Sequence, residues 1–537
     1  MSSSSGKSIV PLLFVLFLCA GLVELLWLGL PGLVATTWML FRMTWVLLAI
    51  IVIAIFALIF LGVKDDAFLV GVFAVLVGTL VIGGFVMGVD RQRTYAQSIE
   101  TVEMSEDSTE LPSFHQRQPY NVASAVSSRT LGNTTGDATG VVKAIPSREV
   151  FTTSVNKRGW LTGYESTQVL NVAPFGTTPN SNVSFCRYSE DAGLRMRDTF
   201  IFNSLQRAIY HKEGMNTIIN SEDAFVVCED SDDSDEPVPY VYVPMIEKQG
   251  IFNPINTFGG LAIYNGHTGD IEIQDTYSGD LPVYPSSLAE TQRASSGHIG
   301  SIPDWIFKRA GWEDTSGDSG NPNGANLSEF VLASEDLDTT YFVTPLTPRG
   351  DNQSIVGIGT VVANDELTSG ALKPYTVYQY AQGKERAATS TVASSITGEI
   401  LSGYRSSGLS VFEVIPAENG TWVATIGKDQ SILYRASVDV DGYITLRDSK
   451  GNVIGTNAPG ETVDEEAVED TDPNASEGDQ APPVSVGDKP IEEMSEEEIK
   501  SLIEQGVEEL IRRGESPVDG SGEAPAEPDP AEAPTEE

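Results

Sequence analysis

The sequence predicts three N-terminal transmembrane α-helices, then a β-rich α+β soluble domain, with two similar units as one arrangement of it, then a disordered acidic tail carrying one amphipathic helix. Three observations predict this. Three apolar runs crowd the first 90 residues. Short Val-, Ile-, Tyr- and Thr-rich runs alternate with turn signals from about Val142 to Gly455. From Gly460 onward, 26 acidic residues stand against 4 basic ones. The predicted boundaries are 1–7 for an N-terminal tail, 8–90 for the helices, 91–143 for a polar connector, 144–456 for the β-rich domain and 457–537 for the acidic tail, whose helix covers 495–513.

The first run, Ser8 to Leu33, holds one charge, Glu24; the second, Thr44 to Val63, and the third, Ala67 to Val89, hold none. About 20 apolar residues cross a bilayer core as a helix, the one open-ended element that satisfies its own backbone in lipid. Cys19-Ala20-Gly21 has the look of a lipoprotein cleavage site. The apolar run continues well past it, however, whereas a signal-peptide core stops after about 7–15 residues. The short Lys64-Asp65-Asp66 connection makes the second and third helices an antiparallel hairpin. Glu24 reads as an acid near the outer end of the first helix, within reach of headgroups or of Arg42; a functional intramembrane acid is the other reading. Lys7 and Lys64 fall on one side of the membrane, and Arg42, Arg91 and Arg93 on the other, so the positive-inside rule does not choose an orientation.

In the domain, the runs around Phe342, Thr360, Tyr375, Val411 and Thr421 are five to seven residues long and suit half-buried strands. Asp441-Gly442, between two alternating runs, predicts a hairpin over Tyr434 to Leu446 with a type I′ turn, and Ser449 to Asn452 predicts a second turn. Phe202 to His211 and Pro303 to Ala310 predict short helices. A faint repeat links Tyr240–Met245 with Thr340–Leu346, Gly259–Tyr264 with Gly357–Val362, and Gly279–Tyr284 with Gly370–Tyr375. Cys186 and Cys228, 42 positions apart, suit one disulfide in an oxidising compartment; buried free thiols are the alternative.

The chain carries 33 Lys and Arg against 75 Asp and Glu, a net charge of −42. That balance excludes nucleic acid as a partner and disfavours an anionic lipid surface, because both need a basic patch. Gly317-Asp318-Ser319-Gly320 resembles the nucleophile loop of chymotrypsin-like serine proteases. Asn321 stands where that motif has its second Gly, and His211, His267 and His298 all lack the context of that family's base, so Ser319 is a weak catalytic candidate. Ser437, Asp439, Asp441, Gly442, Ile444 and Asp448 follow calcium-loop spacing, but the flanks read as strands and position 1 is Ser. Asp439, Asp441 and Asp448 are therefore weak metal candidates, and the acidic cluster Asp230 to Glu236 reads as a solvated loop. No zinc spacing, phosphate-binding loop or dinucleotide fingerprint occurs, and no cofactor is expected.

The tail's composition, rich in Pro, Ala, Glu, Gly and Ser, cannot build a core. Within it Ser495 to Glu498 forms a capping box. Ile499, Leu502, Ile503, Val507, Leu510 and Ile511 follow on one helical face, and Arg512, Arg513 and Gly514 close the helix. So short a helix is marginal alone, so its stripe is expected to dock on a protein partner or a second copy. The expected protein is membrane-anchored through three helices in contact with lipid. It is multi-pass, non-enzymatic, and presents an extracytoplasmic domain for binding, adhesion or envelope assembly. The alternatives are a membrane-bound hydrolase with a carboxylate or Ser site, or a regulatory subunit of a membrane complex.

Overall fold

The computed structural model describes residues 21–60, 66–104, 111–130, 136–138, 142–171, 183–231, 234–314, 330–350, 354–401, 408–417, 420–428, 431–460, 485–486 and 489–490. Residues 21–29 are helical. Helix α1 then runs from Pro31 to Phe60. Proline suits the first helical position, where its missing N–H costs nothing. Thr36, Thr37 and Thr44 turn their hydroxyls back onto the carbonyls of Gly32, Leu33 and Leu40. The helix is unbroken through residues 34–43, where the sequence reading leaves a link between the first and second apolar runs. The one charge in that stretch, Arg42, finds acceptors in the soluble domain, so nothing there forces a break. Helix α2, Asp66–Ala96, likewise continues beyond Val89, because Asp90 and Arg91 find partners of their own. Among the described residues one segment, Pro31–Ile53, is long and apolar enough to cross a membrane by length and composition. The three predicted spans therefore reduce here to one such segment; residues 8–20 of the first span and 61–65 near the hairpin tip lie outside the described residues.

The predicted connector over 91–143 is part of the domain. Ile99–Met104 pairs in parallel with Tyr375–Tyr380 at the edge of a six-stranded sheet. Helix α3, Tyr120–Thr130, sets Val122, Ala123 and Val126 against Phe151, Leu170 and Phe412. Alternation was hidden in these segments by Ser, Thr and Glu on their outer positions. The six-stranded sheet continues through Gly357–Val362, Thr340–Pro348 and Trp312–Asp314, with Phe330–Ala333 also on Thr340–Pro348. A second sheet runs Ile271–Gln274, Ile255–Asn265, Ser234–Gln249, Thr217–Ile219, with Phe225–Ser231 on its longest strand. The two sheets share one core, in which Phe258, Leu261, Leu346, Val361 and Val377 are buried. Strand Ile255–Asn265 bulges at Gly259-Gly260. Gly260 has φ +96°, and a Cβ on Gly259 would sit 2.7 Å from the Glu247 nitrogen, so both positions require glycine.

A third sheet joins Asp137–Ala138, Val150–Asn156, Tyr164–Asn171 and Val183–Arg187, with Lys143–Ile145 beside Val150–Asn156. The fourth is an antiparallel meander of Ser410–Pro416, Trp422–Lys428, Ser431–Val438, Ile444–Arg447 and Val453–Thr456. Val414, Ala424, Ile426, Ala436 and Leu446 fill its inner face, packed against Val392, Ala393 and Ile396. The predicted strands at Phe342, Thr360, Tyr375, Val411 and Thr421 all lie in these sheets. The repeat pairs hairpins in two different sheets: Tyr240–Pro244 pairs with 261–265, and Thr340–Leu346 with 357–362. Its third members differ, since Tyr375 opens a strand and Gly279–Tyr284 does not. Residues 468–537 form a separate unit, of which a small ladder, Ser485–Val486 on Lys489–Pro490, is described. The tail helix at 495–513, with Ile499, Leu502, Ile503, Val507, Leu510 and Ile511, lies outside the described residues.

The predicted type I′ turn at Asp441-Gly442 is a five-residue loop. Strand register closes at Val438↔Ile444, and the Gly442 N–H donates to the Asp439 carbonyl. Gly442 has φ +86°, while neither Val440 nor Asp441 has a positive φ. A type I turn followed by a left-handed glycine results. The predicted helix from Phe202 resolves into a short turn at Ile201–Asn203 and then helix α4, Leu205–Glu213, whose N-cap Ser204 accepts from the Arg207 N–H. Helix α5 is Ser286–Ala294. Helix α6 is Ile302–Ile306, shorter than the predicted 303–310 and capped by Ser301.

One ion pair holds the former connector to the meander. The Arg117 guanidinium donates to Glu413 at 2.9 Å, both side chains being buried, and donates again to the Gln118 carbonyl. Burial raises the Glu413 carboxyl pKa, opposed by the charge and hydrogen bond of Arg117. Removing one partner strands the other in a dry site. Arg117→Met is expected to cost about 3–5 kcal/mol in urea-unfolding stability. Arg117→Met combined with Glu413→Leu should recover most of that loss, and equal losses for the two would show that the pair is not what is being removed.

Candidate functional site

The described part of the molecule is most distinctive where its helices meet the domain. Along α1, Trp38, Arg42 and Trp45 follow one another at helical spacing on one face. The Trp38 indole N–H donates to Asn216 Oδ1 at 3.0 Å. Arg42 donates to the same oxygen at 3.3 Å, to the Lys248 carbonyl at 3.2 Å and to the Gly250 carbonyl at 2.8 Å. The Trp45 indole donates to the Ile251 carbonyl at 2.9 Å. From α2, Arg91 donates to Asn253 Oδ1, while Asn253 donates to the Met87 carbonyl and to Asp90. The Asn256 N–H donates to the Tyr95 hydroxyl. Arg207 of α4 donates to the Leu28 carbonyl at 2.7 Å, and Ala35 is fully covered in the same core as Tyr210. The carbonyl of Lys248 near the end of strand Ser234–Gln249, and those of Gly250 and Ile251 just past it, are each met by a side-chain donor from α1.

This junction gathers cations. Arg42, Arg91 and Lys248 lie close together, and among the described residues none of them is ion-paired with a carboxylate. The outward face of α1 at the same level carries Leu33, Leu40 and Phe41, all exposed. Sequence reading missed the junction. Its one signal was Trp-x3-Arg-x2-Trp at helical spacing, inside an apolar run where any polar residue needs a partner.

The weak metal candidates serve turns. Asp439 Oδ1 accepts the N–H groups of Asp441 and Tyr443, and Asp448 Oδ1 accepts those of Lys450 and Asn452. Asp-x-x-Gly therefore builds two equivalent loops, one at each end of strand Ile444–Arg447, and the calcium-like spacing follows from that repetition. No group of three or more His, Cys, Asp or Glu side chains suited to a metal occurs among the described residues. Ser319 lies outside them. Cys186 and Cys228 form a disulfide with Cα atoms 6.2 Å apart, tying the third sheet to the second.

Two further acidic places exist. A cavity of about 210 Å³ is lined by Lys143, Asp223, Tyr284, Ser286 and Phe342. Its carboxylate is committed to structure, since Asp223 accepts from the Ser286 hydroxyl, the Ser287 N–H and the Ser287 hydroxyl at the start of α5. Arg148 bridges Asp280 at 2.9 Å and Glu229 at 3.4 Å, and Tyr242 donates to Glu229. Burial acts to raise the Asp280 pKa, but hydrogen bonding and charge from Arg148 outweigh it and hold the carboxyl below its usual value. Asp280 is therefore ionised near neutral pH and has no proton to give as a general acid. Comparison with protein-family models, curated proteins and solved structures finds no match.

The junction makes a pH prediction. Burial first, and then the charges of Arg91 and Arg42, push the Lys248 ammonium from 10.5 down to about 8. Between those values the unfolded chain binds more protons than the folded one, so this group makes stability rise with pH across that window. Lys248→Met removes the contribution. Melting temperatures of wild type and variant, compared from pH 7 to 10.5, should converge as pH rises, with the variant the more stable at pH 7; a constant difference would refute the assignment.

Proposed function

We propose that the chain is a multi-pass membrane protein whose N-terminal helices hold a β-rich domain outside the cytoplasm, for binding, adhesion or envelope assembly, with no catalytic role. One observation carries this reading. Beyond the junction, α1 and α2 expose Ile50, Val52, Ile53, Val75, Val81 and Ile82, while among the described residues the domain meets α1 between Ala35 and Trp45 and α2 from Phe85 to Tyr95. Water does not stabilise so continuous an apolar surface; hydrocarbon does. The Cys186–Cys228 bond supports an oxidising compartment for the domain. The structural employment of Asp223 and Arg148–Asp280 supports a non-catalytic surface over a carboxylate hydrolase.

In this reading the full-length protein stays with membranes through carbonate extraction. Cys186 and Cys228 resist alkylation until reduced, and protease added to intact cells cuts the domain. Release by carbonate would sink the membrane anchor; reactive thiols together with protease protection would reverse the orientation.

The acidic tail completes the reading through the stripe of Ile499, Leu502, Ile503, Val507, Leu510 and Ile511, which docks on a protein partner or a second copy. Leu502→Asp with Val507→Asp places two charges on that stripe. The pair is expected to abolish self-association, read by sedimentation of the detergent-solubilised protein, without moving the melting of the β-rich domain. An unchanged oligomer that depends on the tail would remove the second-copy form of the docking reading.

A further inference from the structure

We infer that the domain is seated in the membrane surface: loop 250–253 and the segment 299–309 that carries helix α6 enter the headgroup-to-acyl boundary of an anionic leaflet beside α1 and α2. This deepens the membrane-anchored reading and rests on it. The first observation is exposure. Ile251 is 70% exposed and Phe252 67%, while Ile306 is 57% and Phe307 64%. These are large apolar side chains at loop tips in a chain whose net charge is −42. Surface residues of that kind, clustered on one side, mark a contact surface.

The second observation is where those tips lie along the helices. The Phe252 ring stacks on Trp45 of α1, centroids 5.9 Å apart. The Trp305 ring of α6 lies 6.1 Å from Phe85 of α2. Two separate segments thus set an aromatic ring against a helix ring, at Trp45 and at Phe85, and those two positions set a level. From Phe85 back to Asp66 is about 30 Å of helix at roughly 1.5 Å per residue, the thickness of a hydrocarbon core. From Trp45 to Phe60, where the described helix stops, is about 24 Å by the same measure. Measured from the hairpin end, the tips fall at about one hydrocarbon thickness on α2 and somewhat less on α1, where the apolar face also continues past Trp45 through Leu40 and Leu33.

The third observation is charge. Arg42, one turn from Trp45 on the domain-facing side of α1, gives its guanidinium to the carbonyls of Lys248 and Gly250. Arg91 and Lys248 stand beside it. On the other loop Lys308 and Arg309 are exposed, with the Arg309 guanidinium 5.2 Å from the Phe307 ring centre. Two carboxylates stand among these cations: Asp90, which accepts from Asn253, and Asp304, which accepts from Ser301 and lies near Arg309. Apolar tips below, indole rings at the boundary and cations with no carboxylate ion pair above is the order in which a leaflet presents acyl chains, interface and phosphate. The occupant of this surface is anionic phospholipid.

The test uses the full chain with Cys19→Ser, nitroxide-labelled at Phe252→Cys, Phe307→Cys or, as a distant control, Val440→Cys. Each protein is reconstituted into phosphatidylcholine vesicles with and without phosphatidylglycerol, and the label's accessibility to oxygen and to a water-soluble nickel complex is read. Labels at 252 and 307 should lose nickel accessibility and gain oxygen accessibility relative to 440, more so with phosphatidylglycerol. Lys308→Glu with Arg309→Glu should abolish the phosphatidylglycerol-dependent part at 307. Protein that incorporates into vesicles with labels at 252 and 307 as nickel-accessible as at 440 would overturn the inference while leaving the membrane anchor standing. Protein that fails to float with the vesicles would overturn the anchor itself. Seating that is equal in both lipids would overturn the anionic-lipid assignment.

Discussion

The guanidinium of Arg42 sets how the N-terminal helices meet the β-rich domain. It sits in a helix otherwise made to be covered by apolar groups, and a charge there must either find acceptors or drag water in. It finds three, on two loops of the domain: Asn216, and the carbonyls of Lys248 and Gly250. Because those carbonyls terminate the longest strand of the second sheet, the helix axis is locked to the sheet without any flexible linker. Trp38 one turn earlier and Trp45 one turn later make the same kind of bond, so α1 has a single rotation and a single depth against the domain.

From that fixed end the rest follows in order. α2 returns alongside, gives Asp90 and Arg91 to Asn253, and hands the chain directly into the edge strand Ile99–Met104. A parallel edge strand needs a long crossover connection, and here most of the domain lies between it and its partner Tyr375–Tyr380. The six-stranded sheet therefore cannot be completed until the C-terminal half of the domain has folded back onto the segment that leaves the helices. The buried Arg117–Glu413 pair closes a similar loop over nearly three hundred residues. Both long-range closures join residues just after α2 to residues near the end of the domain, which couples the anchor to the most distant sheet.

The sequence showed what has local period. The strands at Phe342, Thr360, Tyr375, Val411 and Thr421 are visible because branched and aromatic residues alternate there, and the apolar runs are visible by length. It hid what depends on distant partners. Ile99–Met104 carries two glutamates and looks like linker until Tyr375–Tyr380 supplies its ladder. The Asp439 and Asp448 spacing resembled a calcium loop because two identical turn motifs sit one short strand apart. Gly442 misled for a related reason: Asp-Gly is the mark of a two-residue turn, but Asp439 had already begun a longer one by accepting two backbone N–H groups. Of the junction residues, Asn216 and Asn253 gave no sign at all, since an isolated asparagine in a loop is ordinary until a helix arrives beside it.

Net charge was the most persuasive and the least transferable of the sequence observations. A total of −42 disfavours an anionic surface as partner only if charge is spread evenly, and it is not: 26 of the 75 acids lie from Gly460 onward. At an ionic strength where fields decay within about 8–10 Å, the potential at Arg42 is set by the charges close to it rather than by the total. The charges the structure brings together at the junction are Arg42, Arg91 and Lys248, with Asp90 accepting from Asn253 beside them. Partner chemistry is decided at that length scale, so a strongly acidic chain and a locally cationic junction belong to the same molecule without contradiction.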